Sequence, residues 1–400
     1  MIFGLTFSSL RLLILSLAAL SQIYLFYRAR RAIRSLHRSD RFRSLAVFGT
    51  GAAIFLLFAL NLYILFRPIP WAYPSTPAQI GFFYPPAIWG LGSIFSALLL
   101  LLSQIAGGIV RFAAHLLRQI ACHAAASAPP DSERRRFLQA GAGALFAAPI
   151  LLSGYGAAYA GRNGGVQELT LPFGRPLRVV QLTDLHAGVY MNREQLRCYA
   201  DRVISLQPDL FVLTGDYVSN SLSFLPGCLE EMARVRAPYG TFATLGNHEH
   251  WYAGLGELQE IFRKSSIPLL NNEHRVIPTE RGPFAVAGVD DLRNGDPDLD
   301  AALQGIGPSV PILLLSHRPE IFPEAAGRGI PLTLSGHYHG GQIKIDVPGG
   351  GVSLAHLRSP YPEGLYRIGN SRLYVSRGIG TTFTPVRLNA PPEVTLIELT

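Results

Sequence analysis

Leu177-Arg-Val-Val-Gln-Leu-Thr-Asp-Leu-His186 is the stretch that decides the reading of this chain. A short β-branched strand, Arg178–Leu182, runs into Asp184 and His186, two residue types that ligate divalent cations. The same grammar recurs four times towards the C-terminus. Leu210–Thr214 leads into Gly215-Asp216, and Thr241–Leu245 into Gly246-Asn247-His248-Glu249. Ile312–Leu315 ends at Ser316-His317, and Leu332–Leu334 at Gly336-His337-Tyr338-His339. Residues i and i+2 of an extended chain point the same way, so Asp184 and His186 can share one ion. Gly215 permits a tight turn and frees Asp216 to bridge two ions with its two oxygens. Asn247 offers a neutral amide oxygen, and His248 an imidazole that need not be a ligand. His317 stands alone at a strand end. His337 and His339 can ligate one ion each, and Gly336, Gly340 and Gly341 allow close backbone approach. A pair of cations held in this way is suited to hydrolysing phosphate esters.

Between these runs the spacing turns helical. Asn192–Leu206 reads as a helix with Asn192 as its N-cap, followed by Phe224–Val235 and Leu255–Lys264. Phe284–Val289, Gly364–Ile368, Arg372–Val375 and Val394–Leu399 read as further strands. The alternation predicts α/β layering with ligands at the carboxyl ends of strands.

The N-terminal part is of another kind. The 400 residues are 48% hydrophobic and only 16% charged, a balance that predicts a membrane portion. Residues 12–27, 45–66, 87–110 and 137–160 are apolar stretches near the length a membrane helix needs. Residues 1–160 hold fourteen arginines, no lysine and three acids, a net +11, whereas residues 161–400 carry a net −3. The basic charge thus belongs to the membrane part, and no nucleic-acid partner is expected. Loops 28–44 and 111–136 are Arg-rich, whereas loop 67–86 has Arg67 alone and interfacial aromatics such as Trp71, Tyr73 and Phe82. The positive-inside rule then predicts a multi-pass protein of the cytoplasmic (inner) membrane with residues 161–400 outside the cytoplasm. Arg134-Arg135-Arg136-Phe137-Leu138-Gln139 has the form of a twin-arginine signal or of a basic flank to the fourth span. The expected organisation is a membrane region over 1–160 with about four helices, a linker over 161–176, and a catalytic domain over 177–400. Three cysteines without a CxxC exclude a disulfide scaffold, and Cys198 and Cys228 read as plain thiols.

Taken together, the five motifs resemble the signature of the calcineurin-like metallophosphoesterases, every element present and in order over residues 177–400. Gly336–Gln342 and Ser376-Arg377-Gly378-Ile379-Gly380 are similar to its bacterial membrane-linked phosphodiesterase branch. The resemblance implies a sandwich of two mixed β-sheets flanked by helices. It implies one ion on Asp184, His186, Asp216 and His339, and another on Asp216, Asn247, His317 and His337. His248 then contacts phosphate and protonates the leaving oxygen.

The expected activity is dinuclear hydrolysis of a phosphoester, with water activated by the ions attacking phosphorus in line. Mixed Asp, Asn and His donors suit Mn²⁺, Fe²⁺ or Zn²⁺. Several spans point to a membrane-associated substrate such as a phospholipid or lipid-linked nucleotide, with the bilayer as partner. A UDP-2,3-diacylglucosamine pyrophosphatase of lipid A synthesis is an alternative that requires a cytosolic site. A membrane sensor with a retired hydrolase domain is a second, disfavoured by the intact ligands. Around the motifs, Glu249 is expected to orient a histidine, and His250, His274 and His356 to be solvent-facing or structural, with His250 close enough to Asn247 to touch substrate. Asp290 and Asp291 are expected to cap the following turn, ahead of hydrogen-bonding site groups. Arg318 fits a phosphate contact or a surface position, and Tyr217 and Tyr338 a pocket wall or the core.

Overall fold

The computed structural model describes residues 7–66, 73–120, 132–160, 164–348 and 350–400. Trp71, Cys122, residues 161–163 of the expected linker, and the side chains of Arg134 and Arg135 lie outside the described residues. The chain forms two compact units, Met1–Phe66 with Pro85–Tyr155, and Arg67–Tyr84 with Gly156–Thr400.

The first unit consists of long helices. Phe7–Arg34, Asp40–Phe66, Tyr84–Ile120 and Ser132–Tyr155 supply four apolar stretches long enough to cross a membrane. Polar contacts inside this unit tie one helix to another. Gln22 Nε2 donates to Ser93 Oγ at 2.7 Å, and Trp89 Nε1 donates to Gln22 Oε1 at 2.8 Å. Ser96 Oγ donates to the Phe146 carbonyl at 2.7 Å. Such pairs satisfy polar groups that hydrocarbon cannot solvate.

The second unit is layered. Strands β1 (Gly165–Leu171), β2 (Leu177–Leu182), β3 (Leu210–Thr214), β4 (Thr241–Thr244) and β13 (Glu393–Leu399) form one sheet in the order β1-β13-β2-β3-β4. Strands β5 (Glu273–Ile277), β6 (Phe284–Gly288), β7 (Ile312–Leu315), β8 (Leu332–Ser335), β11 (Gly364–Ile368) and β12 (Ser371–Val375) form the other, in the order β11-β12-β8-β7-β6-β5. Both sheets are mixed: β2, β3 and β4 run parallel, as do β6, β7, β8 and β12, while β13 opposes β2 and β5 opposes β6. The remaining strands, β9 (Ile345–Val347) and β10 (Gly350–Val352), pair only with each other.

Strand periodicity explains the layers. Val179 and Val212 of the first sheet pack with Val286, Leu313 and Leu334 of the second to form the sandwich core. Their neighbours Val180 and Leu213 point the other way, against Leu196, Ala200 and Leu229 of the outer helices. Each central strand is buried on both faces, which is why its sequence is a nearly unbroken apolar run. The helix Arg193–Ser205 starts at a full capping box, Asn192 accepting from the Gln195 N–H at 2.9 Å while Gln195 returns the bond at 3.0 Å.

One expectation needs correction, and one connection between spans proves to be packed. Residues 165–171, expected within a linker, form edge strand β1, paired parallel to β13 from Gly165↔Glu393 to Leu171↔Leu399. Its outer positions are exposed, so GVQELTL lacks the apolar run of a central strand. Residues 73–84, read as a loop between spans, pack within the catalytic unit. Tyr73 Oη donates to the Phe224 carbonyl, and Gln79 Nε2 donates to the Val189 carbonyl at 3.1 Å. Cys198 is exposed and Cys228 buried, both free thiols.

Candidate metal centre

The ligand-type residues leave the carboxyl ends of parallel strands in both sheets. Asp184 and His186 follow β2, Asp216 follows β3, and Asn247 and His248 follow β4. His317 follows β7, and His337 and His339 follow β8. All are buried except His337, which is half-buried.

The turns that carry them are not extended. Asp184, His186, Asp216, His337 and His339 have φ of 52°, 48°, 55°, 75° and 53°, the left-handed region. This corrects the expectation that Asp184 and His186 converge by strand alternation; a repeated left-handed twist folds the segment back so that both face inward. Such backbone costs about 1–2 kcal/mol per residue and gathers at functional sites. At Gly215, φ is 86° and an added Cβ would stand 2.7 Å from the Gly246 nitrogen, so two turns can meet there only without a side chain.

The donors form two clusters that share no residue and a third group that links them. Asp184, His186 and His339 make one cluster, Asp216, His317 and His337 the other, and His186, Asp216 and His248 the link, with the atoms of each within 4.8 Å of one another. Asp216 Oδ2 lies 3.6 Å from His186 Nε2 and 3.3 Å from His317 Nε2. Asp216 Oδ1 accepts the His248 N–H at 2.9 Å. One carboxylate oxygen therefore faces both clusters, where two were expected to share the task.

Two donors bound to one cation at about 2.0–2.1 Å stand roughly 3–3.5 Å apart. Three separations match: 3.1 Å between His186 Nε2 and His339 Nε2, 3.2 Å between Asp184 Oδ1 and His339 Nε2, and 3.1 Å between His317 Nε2 and His337 Nδ1, while Asp184 Oδ1 and His186 Nε2 are farther apart at 3.9 Å. The residues present therefore fit a pair of divalent ions. Asn247 stands apart from this packing, its Oδ1 accepting from Arg318 Nη2 at 3.0 Å.

Electrostatics agree with ligation. Burial holds His186, His337 and His339 well below the ordinary imidazole range, which leaves them neutral with lone pairs to give. His317 differs: burial works against its charge, but the Asp216 carboxylate raises it to about 10. Burial pushes Asp184 up to about 7. For Asp216 burial acts in the same direction, yet the surrounding imidazoles, His317 foremost, hold it well below the usual carboxylate range.

A family model for the calcineurin-like phosphoesterases matches residues 177–341. The uncharacterized metallophosphoesterase YkuE of Bacillus subtilis is 29% identical over 279 residues, 66% of this chain and 97% of that protein. An uncharacterized metallophosphoesterase of Aquifex aeolicus is 30% identical over 242 residues, 58% of this chain and 89% of its own. The transmembrane protein with metallophosphoesterase domain of Danio rerio is 32% identical, but the match spans 56% of this chain and about half, 53%, of that protein. The chain belongs to the calcineurin-like phosphoesterases. It is a metal-dependent phosphoesterase with a site for two metal ions.

Other side chains of this phosphoesterase place the ligands. Glu249, expected to orient a histidine, instead takes backbone amides. Its Oε1 accepts from Tyr217 N at 2.8 Å and Val218 N at 3.2 Å, and its Oε2 from Asp216 N at 3.0 Å and Gly246 N at 2.9 Å. It thus ties the β3 turn to the β4 turn. His248 Nδ1 lies 3.0 Å from the Ser219 carbonyl, and its Nε2 faces Asp216 Oδ2 at 4.0 Å.

Arg318 is buried, which excludes the surface position. Its Nε donates to Asp291 Oδ2 at 2.8 Å, and Nη1 lies 2.5 Å from His337 Nε2. Asp291 also caps its turn through the Asn294 N–H at 2.8 Å, and Asp290 holds His250 Nε2 at 2.6 Å. His274 meets the Ala302 carbonyl and His356 the Ser353 hydroxyl, both structural contacts. Tyr217 is a core residue, and Tyr338 reaches Glu320.

Two residues of the centre had no motif to announce them. Thr382 Oγ1 stands 3.2 Å from both His186 Nε2 and His339 Nε2. Arg387, fully buried, donates to the carbonyls of Gly380 at 3.0 Å and Ala390 at 2.9 Å, with Nη2 3.1 Å from His339 Nδ1.

Glu249→Ala strands four buried N–H groups at the junction of two ligand turns. We expect it to destabilise the protein by roughly 3 kcal/mol or more and to lower metal content at both positions, with Glu249→Gln intermediate. Thermal unfolding and elemental analysis of the purified variants check this; a variant of unchanged stability that still holds two ions would sink the clamp role.

Proposed function

We propose that the protein is a membrane-anchored phosphodiesterase whose catalytic domain lies outside the cytoplasm. The observation that carries the activity is the single Asp216 oxygen facing two donor clusters, with the His248 ring beside it. In this reading Asp184, His186, Asp216 and His339 hold one cation, and Asp216, Asn247, His317 and His337 the other. The pair of cations supplies Lewis acidity that activates water and neutralises charge developing on the phosphoryl oxygens. Arg318, fixed by Asp291, presents a guanidinium to the same space and binds the phosphoryl group. His248 delivers a proton from Nε2 to the departing oxygen; burial lowers its hold on that proton, against which the Asp216 carboxylate and the Ser219 carbonyl at its other nitrogen favour the charged ring.

The arginine asymmetry supports the orientation. The catalytic unit adds an argument from packing. Residues 73–84, between the second and third apolar helices, belong to the same compact unit as the domain that follows the fourth. That packing supports an even number of crossings between the two segments, and the arginines alone support which side of the bilayer they share.

Replacing Asp216 with Ala is expected to abolish turnover of a phosphodiester and to deplete both ions. Two tightly held ions per chain in that variant would refute the bridging assignment. His248→Ala is expected to keep both ions and lose about 10²–10⁴-fold in rate, with a smaller loss for nitrophenyl esters, whose leaving group needs little protonation. An equal loss for good and poor leaving groups would remove the proton-donor role.

Orientation is checked with reporters. One fused after Thr400 is expected to read an extracytoplasmic environment, and one inserted near Ser127 a cytoplasmic one. A C-terminal reporter active only in the cytosol would overturn the topology and favour the UDP-2,3-diacylglucosamine pyrophosphatase activity.

A further inference from the structure

The hairpin β9–β10 belongs to neither large sheet. Its register sets Ile345 opposite Val352 and Val347 opposite Gly350. Residues directly opposite, and residues two apart, share one face of a pleated ribbon. Ile345, Val347 and Val352 therefore line one face, and they are 68%, 42% and 48% exposed. The turn that follows adds Leu354 and Leu357, at 70% and 78%. An isolated exposed leucine needs no explanation, but three aliphatic side chains on one face of a two-stranded ribbon, with two more in the turn after it, mark a surface that meets an apolar partner.

The ribbon is rooted in the metal centre. His339 leads into it through Gly340, Gly341 and Gln342. Gln342 Nε2 donates to the carbonyls of Thr382 and Thr384 at 3.2 and 2.9 Å, and its Oε1 accepts the Thr382 N–H at 2.9 Å. Thr382 in turn touches His186 and His339. Ser353, beyond β10, fills the space that a Cβ on Gly341 would need. The apolar surface and the ligand loop are therefore one connected piece.

Covalent continuity keeps a bilayer within reach of this unit. In sequence, residues 73–84 lie between the apolar helices Asp40–Phe66 and Tyr84–Ile120. Gln79 of that segment is buried against the stretch just past His186, its Nε2 3.1 Å from Gln195 Oε1 and its Oε1 3.3 Å from Asn192 Nδ2. The fourth apolar stretch ends at Tyr159, and β1 begins at Gly165. The intervening residues 160–164 reach roughly 17 Å at most.

We infer that the ribbon and the turn after it enter the bilayer as an apolar lip, over which a lipid-borne phosphoester reaches the metal centre. The inference rests on the phosphodiesterase reading above and narrows its substrate to esters held in a membrane. Arg358, exposed beside Leu357, suits the anionic headgroup layer at that depth.

The test uses the full chain in phosphatidylcholine–phosphatidylglycerol vesicles with Mn²⁺ and two esters of one leaving group. Methyl 4-nitrophenyl phosphate is water-soluble, and hexadecyl 4-nitrophenyl phosphate resides in the bilayer. The double variant Leu354→Ser, Leu357→Ser is expected to keep turnover of the methyl ester within about two-fold and to lose roughly ten-fold or more in kcat/KM on the hexadecyl ester. Equal loss on both esters, or none on either, overturns the lip. Wild-type protein inactive on both would bring down the phosphodiesterase reading, and the substrate assignment with it.

A second measurement is independent of activity. A nitrobenzoxadiazole probe on Leu357→Cys, in a Cys122→Ser, Cys198→Ser background, is expected to be quenched by doxyl-labelled lipid. The same probe on Arg263→Cys is not. An unquenched probe at 357 overturns the lip whatever the enzyme hydrolyses. A dimer that falls to monomers in the serine variant, with the ester preference unchanged, would assign the surface to a second copy of the chain and overturn it as well.

Discussion

One carboxylate decides whether this site can exist. Glu249 gathers four backbone N–H groups from two separate turns, and those turns hold Asp216, Asn247 and His248. The segment around Asp216 adopts a left-handed turn that costs a non-glycine residue free energy. The clamp offsets that cost with four hydrogen bonds in a dry interior, where each is stronger than in water, and the same burial pushes the Glu249 carboxyl up to about 8. A comparable device works at the other cluster. Asp184 accepts the His337 N–H at 3.1 and 3.0 Å through its two oxygens, so a ligand of one turn fixes the start of another. The centre is in this sense a knot of turns, each stabilised by a side chain borrowed from its neighbour.

Much of this was legible before the structure. The central strands could be read because both their faces are buried, which forces apolar runs such as LFVLT and ILLL. The ligand motifs could be read because strand ends in such folds must turn, and the turn residues are the chemistry. The edges could not. Strands β1 and β5 are largely exposed, so GVQELTL and EHRVI carry too few apolar positions to stand out. Arg387 was invisible for a different reason. Arginine is seldom fully buried, and only the convergence of several carbonyls from distant parts of the loop shows why this one is. The inward curl at Asp184 and His186 also escaped, because backbone handedness leaves no mark in composition when the residue is not glycine.

Arg318 illustrates how position alone misleads. Directly after a ligand histidine, it fits a phosphate contact or a surface position equally well by sequence. Asp291 settles the matter physically, because a guanidinium with a buried carboxylate partner can be desolvated where an unpaired one cannot. The same carboxylate caps its own turn with its other oxygen, so one residue fixes both the loop and the cation it holds. The resulting guanidinium stands beside Asn247 and His337 and gives the second cluster a positive neighbour, as Arg387 does for the first.

The charges of the centre explain why it takes metal ions and not a single proton. Three of its imidazoles are driven neutral by burial, yet His317 is raised to about 10 by Asp216, and Asp184 to about 7 by burial. The carboxylates thus draw positive charge into the pocket, and protons are one way to supply it. A divalent cation supplies it better, since it meets the neutral imidazoles and the carboxylates at once while a proton meets one donor pair. Ions held by these residues would take the place of protons on His317 and Asp184, which would link folding of the turns to loading of the metal. The strained turns can therefore be tolerated, because the ions that the centre binds lend stability to the backbone that positions their ligands.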